Sequence, residues 1–545
     1  MFITASALER HVALLQGDFE FAIVQSGQLL VAFGDARVET LLRQSDETSR
    51  LCLSQLCDLL AVRGYAVAED TIFTSALEFW STFVETMADA MPPGESNSTE
   101  WTTAAMAHVT QAVSKVWRKA AFPPAIEFGH WDSSERIGFT DARKDIGDFL
   151  QSVYTVAGPD IVFTFAELAV QTLRSQSWTE LEAAMFCLGS LADCTLGDDR
   201  SDAALRSVFE SPLFDTLQGP LLDSSGKLKQ TCAALIEKYS EYFERNAENL
   251  APALNLLFAV VSDPLLGVQA SRSIHRLCSS CRTLLAPDLG AFLSHYRALS
   301  FHPGLDCQAH EKIVGAIACV IQAVDNSARR LEAVQILLEF PKRDAEAAVD
   351  LLLGGEFRSG QDPIELPAHR CASLSSKAEY PQHMALKALR CLASIGKGLQ
   401  ALSDVAVDLE TGTKISAAGV SDPSLAAVHD NITSIISQLQ NCFPDDGEIV
   451  ETICTILRAG FSESAPGPFV FRPRTISAYF TRQTSRVPRI GLVVSTACSF
   501  VSSVGRSWVG EIRAIVSEIL SWVIGLLQQI SSKWKQPQTA EPYPY

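Results

Sequence analysis

One pair of cysteines has a spacing that could support thiol chemistry. Cys278 and Cys281 form a C-x-x-C motif, which is typical of redox-active dithiols and of half-sites for zinc. No second pair with metal-ligand spacing lies nearby, and no strand pattern precedes the motif. Residues three apart on a helix share a face, and Leu277, Leu284 and Leu285 make that region apolar. We therefore expect two core thiols, and a redox or catalytic role for either cysteine is the alternative.

Three other motifs begin like catalytic or phosphate-binding signatures and then depart from them. His310 and Glu311 start a zinc-protease motif, but Val314 stands where its second histidine is required. The glycines that flank Lys397 lack the upstream glycine and the hydroxyl residue of a phosphate loop. Residues 505–510 have the wrong spacing for the turn that carries a serine nucleophile. The sequence therefore predicts a protein that is not an enzyme and that holds no metal or cofactor.

Carboxylates recur at helical spacing and form a more informative pattern. The chain has 63 Asp and Glu against 44 Lys and Arg, so its formal net charge is −19. Such a chain should repel nucleic acid and acidic lipid headgroups, and we expect neither a nucleic-acid nor a membrane partner. We interpret the acidic clusters as binding sites for basic proteins, with solvated outer faces as the alternative. The candidate binding residues are Glu237, Glu241 and Glu244, with Glu248 beside them, and Asp445, Asp446, Glu448 and Glu451; Asp344, Glu346 and Asp350 form a third group.

The bulk composition is typical of a folded intracellular protein. Apolar residues make up 47% of the 545 residues and charged residues 20%, which does not fit a disordered chain. The 14 cysteines are scattered, as expected for reduced thiols in the cytosol or nucleus. Glu9, Arg10 and His11 interrupt the first apolar run, so no secretory signal is predicted. The apolar run 490–505 is too short and too rich in serine to predict a transmembrane helix.

Helices must position these residues, and Trp178–Asp193 shows the helical pattern most clearly. Its sequence is WTELEAAMFCLGSLAD, with apolar residues at i, i+3, i+4, i+7 and i+10. Gly189 is small enough to let a neighbouring helix approach closely. A helix with so wide an apolar face is not stable alone, and we expect other helices to cover it on both sides. The apolar stripe consists of Leu181, Ala184, Met185, Leu188 and Leu191.

Helical patterns of the same kind repeat at intervals of about 40 residues, which is typical of HEAT-type helical hairpins. The segment Ser262-Asp263-Pro264 resembles the start of such a repeat, since Asp caps a helix and Pro fits its first turn. No strand alternation is evident, so the predicted fold class is all-α, a HEAT-repeat (ARM-type) α-solenoid superhelix. The predicted pairs join Lys227–Arg245 with Leu250–Val261, Gly267–Leu285 with Leu289–Leu299, and Cys307–Val324 with Ala328–Phe340.

Interruptions of the pattern divide the chain. Clusters of Gly, Pro and Ser are typical of connectors, because they end helices. Phe122–Phe139 and Leu402–Pro423 are predicted as loops. The predicted segments are HEAT-like repeats over 1–353, a polar connector over 354–380, further helical repeats over 381–533 and a disordered tail over 534–545.

Five segments, in order along the chain, resemble one family of helical proteins. The family is the importin-β-type nuclear transport receptors (karyopherins), and within it the importin-13/transportin-SR branch, with the last segment similar to its fungal members. The pair at 178–193 and 270–284 is the more specific part of the resemblance. The segments are Phe79-Trp80 within LEFWSTF, Ala142–Leu150 (ARKDIGDFL), Trp178–Asp193, Ala270–Leu284 (ASRSIHRLCSSCRTL) and Pro488–Val501 (PRIGLVVSTACSFV).

The resemblance implies a binding protein that carries cargo through nuclear pores and shuttles between nucleus and cytoplasm. It implies basic cargo proteins and FG nucleoporins as partners, and control by the GTPase Ran in full-length members. Family members are longer, and their N-terminal repeats make most of the Ran contact. The resemblance therefore leaves Ran binding by this chain open. We expect this chain to lack N- and C-terminal repeats and, with apolar end faces exposed, to aggregate or dimerise.

The resemblance leaves the identity of the cargo open. Members that bind phosphorylated Ser-Arg cargo carry an Arg-rich helix, and the matching stretch Glu448–Phe461 contains only Arg458. This difference argues against cargo of that class. The alternative to a transport receptor is a HEAT-repeat scaffold outside nuclear transport, which should bind neither Ran nor FG repeats.

Overall fold

A computed structural model describes residues 5–44, 46–91, 100–219, 225–302, 305–354, 379–400, 423–461, 463, 467–507 and 512–534. In these parts of the chain the regular structure is helical, apart from an isolated bridge between Ala66 and Asp70. The all-α HEAT-solenoid class predicted from the sequence is confirmed. Helix packing divides the chain into two compact units, Met1–Leu256 and Leu257–Tyr545. The four-segment division predicted above stays a prediction.

The α-helices follow one another closely along the chain. They are α1 (Ala5–Leu15), α2 (Phe21–Asp35), α3 (Val38–Arg43), α4 (Glu47–Asp58), α5 (Phe73–Ala90), α6 (Glu100–Lys119), α7 (Ala125–His130), α8 (Ser133–Ala157), α9 (Asp160–Arg174), α10 (Trp178–Ser190), α11 (Asp199–Phe209), α12 (Leu213–Gln218), α13 (Ser225–Lys238), α14 (Ser240–Arg245), α15 (Leu250–Val260), α16 (Gly267–Ser280), α17 (Arg282–Leu285), α18 (Leu289–Leu299), α19 (Cys307–Gln322), α20 (Ser327–Leu352), α21 (Tyr380–Gly398), α22 (Pro423–Cys442), α23 (Gly447–Arg458), α24 (Pro473–Thr481), α25 (Ile490–Ser507) and α26 (Ile512–Trp534).

Each unit stacks its helices so that a helix packs mainly on near neighbours, which is the arrangement of a repeat array. In Met1–Leu256, one row runs through α2, α5, α8, α10 and α13. In Leu257–Tyr545, one row runs through α16, α19, α21, α23 and α25, and the hairpin partners α18, α20, α22 and α24 pack on this row.

Helix α10 is covered on both sides, as its sequence predicts. All five residues of the apolar stripe between Leu181 and Leu191 are essentially inaccessible to solvent. Gly189 lies against α13, where Lys238 Nζ donates a hydrogen bond to the Gly189 carbonyl oxygen at 2.9 Å. The Lys238 side chain therefore links α13 to α10, which are successive helices of the row.

The repeat period is confirmed, since α16 and α19 begin at the predicted residues 267 and 307. The predicted helix 227–245 is divided at Tyr239, whose hydroxyl donates a hydrogen bond to the Leu188 carbonyl oxygen at 2.8 Å. The helix predicted to end at Phe340 continues to Leu352 through Pro341, because its buried face continues with Ala345 and Ala348. These two boundary predictions were wrong.

The predicted loop 122–139 was also wrong, because α7 (Ala125–His130) and the start of α8 lie within it. Asp132 accepts a hydrogen bond from the backbone of Glu135, and the Glu135 carboxylate accepts one in return, so a capping box starts α8 at Ser133. The aromatic residues of this segment are packed against one another instead of scattered, with the Trp131 and Phe139 rings 5.5 Å apart. The predicted loop 402–423 and most of the predicted connector and tail lie outside the described residues.

Helices α2 and α26 each carry three exposed apolar side chains. On α2 these are Phe21, Leu29 and Phe33, and on α26 they are Leu520, Ile524 and Leu527. Segment Arg513–Ser531 of α26 has the length and apolar composition of a membrane-spanning helix. Core helices of soluble proteins can have the same length and composition. Trp522 Nε1 donates a hydrogen bond to the Gln483 carbonyl oxygen at 2.8 Å. This bond links α26 to the segment that follows α24. Self-association of the isolated chain stays a prediction.

Candidate functional site

The C-x-x-C motif is part of the core. Cys278 and Cys281 are both fully buried, and burial raises the pKa of the Cys278 thiol well above its ordinary value. A buried, protonated thiol is a poor nucleophile and a poor metal ligand. In the described parts of the chain, no three His, Cys, Asp or Glu side chains are placed to hold a metal ion. The motif is therefore best explained by packing, as the sequence predicts.

The first acidic cluster consists of Glu237, Glu241, Glu244 and Glu248. Glu237 lies on α13, Glu241 and Glu244 lie on α14, and Glu248 follows α14 in a short 3-10 turn. The first two are half-buried and the last two are exposed. The division of the predicted helix at Tyr239 therefore spreads this cluster over a turn, and Glu244 and Glu248 remain open to a partner.

Two arginines lie beside the first acidic cluster, and both are engaged within the chain. Arg206 Nη2 donates a hydrogen bond to Asn246 Oδ1 at 2.9 Å. Arg245 donates to Asp202 from Nε at 2.8 Å and from Nη2 at 2.7 Å, and these hydrogen bonds raise the pKa of Arg245. Burial raises the pKa of Tyr242 to about 12. The positive charge of Arg206 lowers this pKa, and the carboxylates of Glu248 and Asp202 raise it. Burial is therefore the main reason that the Tyr242 hydroxyl keeps its proton.

The second acidic cluster lies at the start of α23, and part of its charge is used within the chain. Asp446 is the N-cap of α23 and accepts hydrogen bonds from two backbone N–H groups at 2.8 and 3.1 Å. Arg390 Nη2 lies 3.3 Å from Glu448 Oε1, and Arg489 is paired with Glu451. The cluster consists of Asp445, Asp446, Glu448 and Glu451. A basic partner would compete with these two arginines, so this cluster is the weaker of the two candidates.

The third acidic group is divided between core and surface. Asp344 is buried, and its Oδ2 lies 3.0 Å from Nζ of the buried Lys387. Glu346 and Asp350, on the same helix α20, are exposed. Because its charge is compensated inside the protein, Asp344 cannot contribute to a binding surface.

A further acidic stripe was missed by the sequence reasoning. Asp141, Asp145 and Asp148 are exposed on α8, with Lys144 between them. Burial raises the pKa of Asp145, and repulsion from Asp148 and Asp141 adds to the effect. The signal was present in the sequence, because residues spaced by four and then three share one helix face. This stripe is a further group of exposed carboxylates in the unit Met1–Leu256.

Comparison with known proteins shows which proteins this helical array is similar to. Residues 224–294 match the family model described as the Transportin-3/Importin-13 third TPR domain. The chain is 23% identical over 512 residues to importin beta-like protein kap111 of Schizosaccharomyces pombe, which covers 89% of this chain and 48% of the relative. It is also 23% identical over 266 residues to Importin-13 of Homo sapiens, covering 48% of this chain and 26% of the relative. The chain thus spans about half the length of kap111 and less of Importin-13.

Solved structures show the same fold. A structure titled "Importin13 cytosolic state" superimposes with a TM-score of 0.73 at 15% identity, covering 97% of this chain and 56% of that chain. Importin Beta crystallised in an ammonium sulfate condition gives a TM-score of 0.55 at 14% identity, covering 96% of this chain and 60% of that one. With the matches in sequence, these structures agree on one likeness: the chain is similar to importin-β-like karyopherins, and within them to the importin-13 branch.

Proposed function

We propose that this chain is part of a nuclear transport receptor that binds basic cargo proteins and the FG repeats of nucleoporins, and that shuttles between nucleus and cytoplasm. The observation that carries the proposal is the similarity to importin beta-like protein kap111 along 89% of this chain. The helical array supports it, because stacked helices that contact mainly their neighbours can bend and present long surfaces to a folded partner.

The charge distribution supports a basic cargo. The net charge is −19, and the first acidic cluster keeps Glu244 and Glu248 exposed beside arginines that already have partners. Many weak contacts between such carboxylates and Lys or Arg side chains steer a basic protein toward the surface and raise its association rate. The binding residues proposed for this role are those of the first acidic cluster, with the second acidic cluster as a weaker contributor.

The test uses purified components and the full 545-residue chain. The immobilised chain is incubated with a fragment of FG repeats, with a matched fragment in which every Phe is replaced by Ser, and with a histone-tail protein as basic cargo. We expect binding of the FG fragment and of the basic cargo, and no binding of the Ser-substituted fragment. Addition of Ran loaded with GTP, compared with Ran loaded with GDP, shows whether cargo release depends on Ran in this chain.

Each outcome separates the proposal from the scaffold alternative. Binding of FG repeats and cargo with release by Ran-GTP is expected of a complete import receptor. Binding of both without any response to Ran identifies a receptor segment that lacks the switch. A chain that is helical by circular dichroism and binds neither FG repeats nor basic cargo would contradict the proposal and favour a HEAT-repeat scaffold.

A further inference from the structure

A cysteine and a histidine meet at the surface of the unit Leu257–Tyr545. Cys307 is the first residue of α19, and the preceding Asp306 caps this helix by accepting a hydrogen bond from the Ala309 N–H at 2.6 Å. The Cys307 Sγ atom lies 3.1 Å from Nε2 of His383, on α21. Both residues are half-buried, so each is partly accessible to solvent. Neither residue belongs to the acidic clusters, so this feature is independent of the proposed function.

Two features near Cys307, a cation and the start of a helix, can stabilise a thiolate. Lys387 lies one turn after His383 on α21, and its Nζ is 3.0 Å from Asp344 Oδ2. Burial opposes its charge, but Asp344 and the nearby thiols Cys307 and Cys391 raise the pKa of Lys387, so this ammonium stays protonated. A nearby cation and the N-terminus of a helix both stabilise a thiolate. The carboxylates of Asp306, which precedes Cys307, and of Asp344 act in the opposite sense, and that of Asp344 is compensated by Lys387.

Other cysteines of the described residues have different surroundings. Cys187, Cys232 and Cys391 are buried, and burial raises the pKa of each thiol, to about 12 in Cys232 and Cys391. These sulfurs are protonated and shielded from reagents. Cys498, on α25, is exposed and provides a control for simple accessibility.

We propose that Cys307, with His383 as its base, is a nucleophilic thiol that reacts with small uncharged electrophiles such as hydrogen peroxide. The thiol proton moves to Nε2 of His383, and the sulfur attacks one oxygen of the peroxide. The S–O bond forms as the O–O bond breaks, so the sulfur loses two electrons and becomes a sulfenic acid. The departing hydroxide takes the proton from His383 and leaves as water. Cys307 is therefore a site of oxidation to the sulfenic acid.

Alkylation kinetics test the nucleophilicity of the thiol. Iodoacetamide forms an S–C bond with a thiolate and releases iodide, and peptide mass spectrometry of the full chain at neutral pH gives the rate at each cysteine. We expect Cys307 to react at least about ten-fold faster than exposed Cys498. His383→Asn should lower the rate at Cys307 about ten-fold and leave the rate at Cys498 unchanged.

Oxidation gives a second measurement that needs no variant. After a brief exposure of the wild-type chain to hydrogen peroxide, dimedone should label Cys307 before Cys498. A rate at Cys307 equal to or below that at Cys498 would overturn the proposal, whether or not the variant folds. So would an unchanged rate at Cys307 in a His383→Asn chain whose circular dichroism matches the wild type.

Discussion

Arg143 lies at a junction of three helices and is held by both charge and aromatic contacts. Its guanidinium carbon lies 4.1 Å from the ring centroids of both Phe122 and Phe186. Arg143 Nη2 donates to Glu182 Oε1 at 2.8 Å, and the same oxygen accepts a hydrogen bond from Thr231 Oγ1 at 2.6 Å. Arg143 is on α8, Glu182 on α10 and Thr231 on α13, so this buried pair joins three successive helices of one row.

Loss of this arginine should be costly. Arg143→Met leaves the Glu182 carboxylate buried without its counter-charge, because both side chains are less than 10% exposed in the wild type. We expect the free energy of unfolding to fall by about 3 kcal/mol, as is usual when one partner of a buried ion pair is removed. Urea denaturation followed by circular dichroism measures the change.

Two further variants control this experiment. The double variant Arg143→Met with Glu182→Gln removes both charges and should recover part of the lost stability. Arg245→Met breaks the more exposed pair with Asp202 and should cost less than about 1 kcal/mol. Equal losses in the Arg143 and Arg245 single variants would contradict the argument that burial determines the cost.

His275 should make the stability of the protein sensitive to acid. Burial, with the positive charges of Lys312 and Lys397, lowers its pKa to about 4 in the folded state, from the usual value of 6.5. Below pH 6.5 the unfolded chain binds this proton and the folded chain does not, so acid favours unfolding. The contribution is fully present above pH 6.5 and is lost progressively as the pH falls toward 4.

The expected loss from His275 is roughly 1–2 kcal/mol near pH 5. Thermal unfolding of wild type and His275→Asn, compared near pH 7.5 and near pH 5, isolates this contribution from those of other groups. We expect the variant to lose less stability on acidification than the wild type does. The same substitution at exposed His130 is the control, and it should leave the acid sensitivity as it is. Parallel pH profiles for wild type and His275→Asn would be evidence against this role.

At the residue scale, the sequence reveals local interactions better than distant ones. The cap role of Asp446 could be predicted, because an Asp directly before a helical pattern is a common start signal. The partners of Glu448 and Glu451 could not, because Arg390 and Arg489 are far away in the sequence. The availability of these carboxylates to a partner therefore depends on tertiary contacts, and their role in binding stays a prediction.

Among the elements, α19 and α21 approach each other closely at two glycines. A Cβ atom added to Gly398, the last residue of α21, would lie 2.5 Å from the Gly315 carbonyl oxygen and 2.8 Å from Ala318 Cβ. Both of these atoms belong to α19. Backbone atoms of a packed helix cannot move aside cheaply, so the absence of a side chain at Gly398 sets the distance between the helices.

Gly398→Ala should therefore destabilise the protein, although alanine is the better helix former. We expect a loss of about 1–3 kcal/mol from overpacking. The matched control is Gly525→Ala within α26, where an added Cβ meets nothing within 4 Å. That change should stabilise the helix by up to about 1 kcal/mol. Thermal unfolding of both variants measures the two shifts, and a gain in stability for Gly398→Ala would show that the two helices can separate without cost.

The helix pattern of the sequence predicts helix starts better than helix interruptions. The starts at Gly267 and Cys307 were predicted because period and apolar spacing agree there. The division at Tyr239 was not, since it depends on a hydrogen bond to the distant Leu188. The continuation through Pro341 was not predicted either, because packing of the buried face that follows it outweighs the helix-breaking tendency of proline.

At the scale of the whole molecule, the period of about 40 residues is enough to predict a stack of helical hairpins. It does not predict which carboxylates a partner can reach, because that depends on which side of each hairpin faces its neighbours. Asp344 and Glu346 illustrate the limit, since two residues of one acidic group on α20 end up buried and exposed, respectively. The net charge of −19 is a property of the whole chain, whereas binding should depend on where the exposed carboxylates are concentrated.

This distinction gives a prediction for cargo binding. If the first acidic cluster binds basic cargo, reversing its charges should weaken binding more than the same change elsewhere. The test variant carries Glu241→Lys, Glu244→Lys and Glu248→Lys. We expect at least a roughly ten-fold weaker affinity for a basic protein in low salt, and a weaker dependence of the affinity on salt concentration.

The matched control makes the same change in net charge at exposed glutamates outside the cluster. It carries Glu9→Lys, Glu20→Lys and Glu47→Lys, which lie in or beside α1, α2 and α4. Because screening limits the reach of a surface charge to about 10 Å at moderate ionic strength, charges away from the binding surface should change the affinity little. Affinities measured by fluorescence anisotropy at several salt concentrations distinguish the two variants. Equal weakening in both would mean that net charge alone attracts the cargo and that the first acidic cluster is a solvated face.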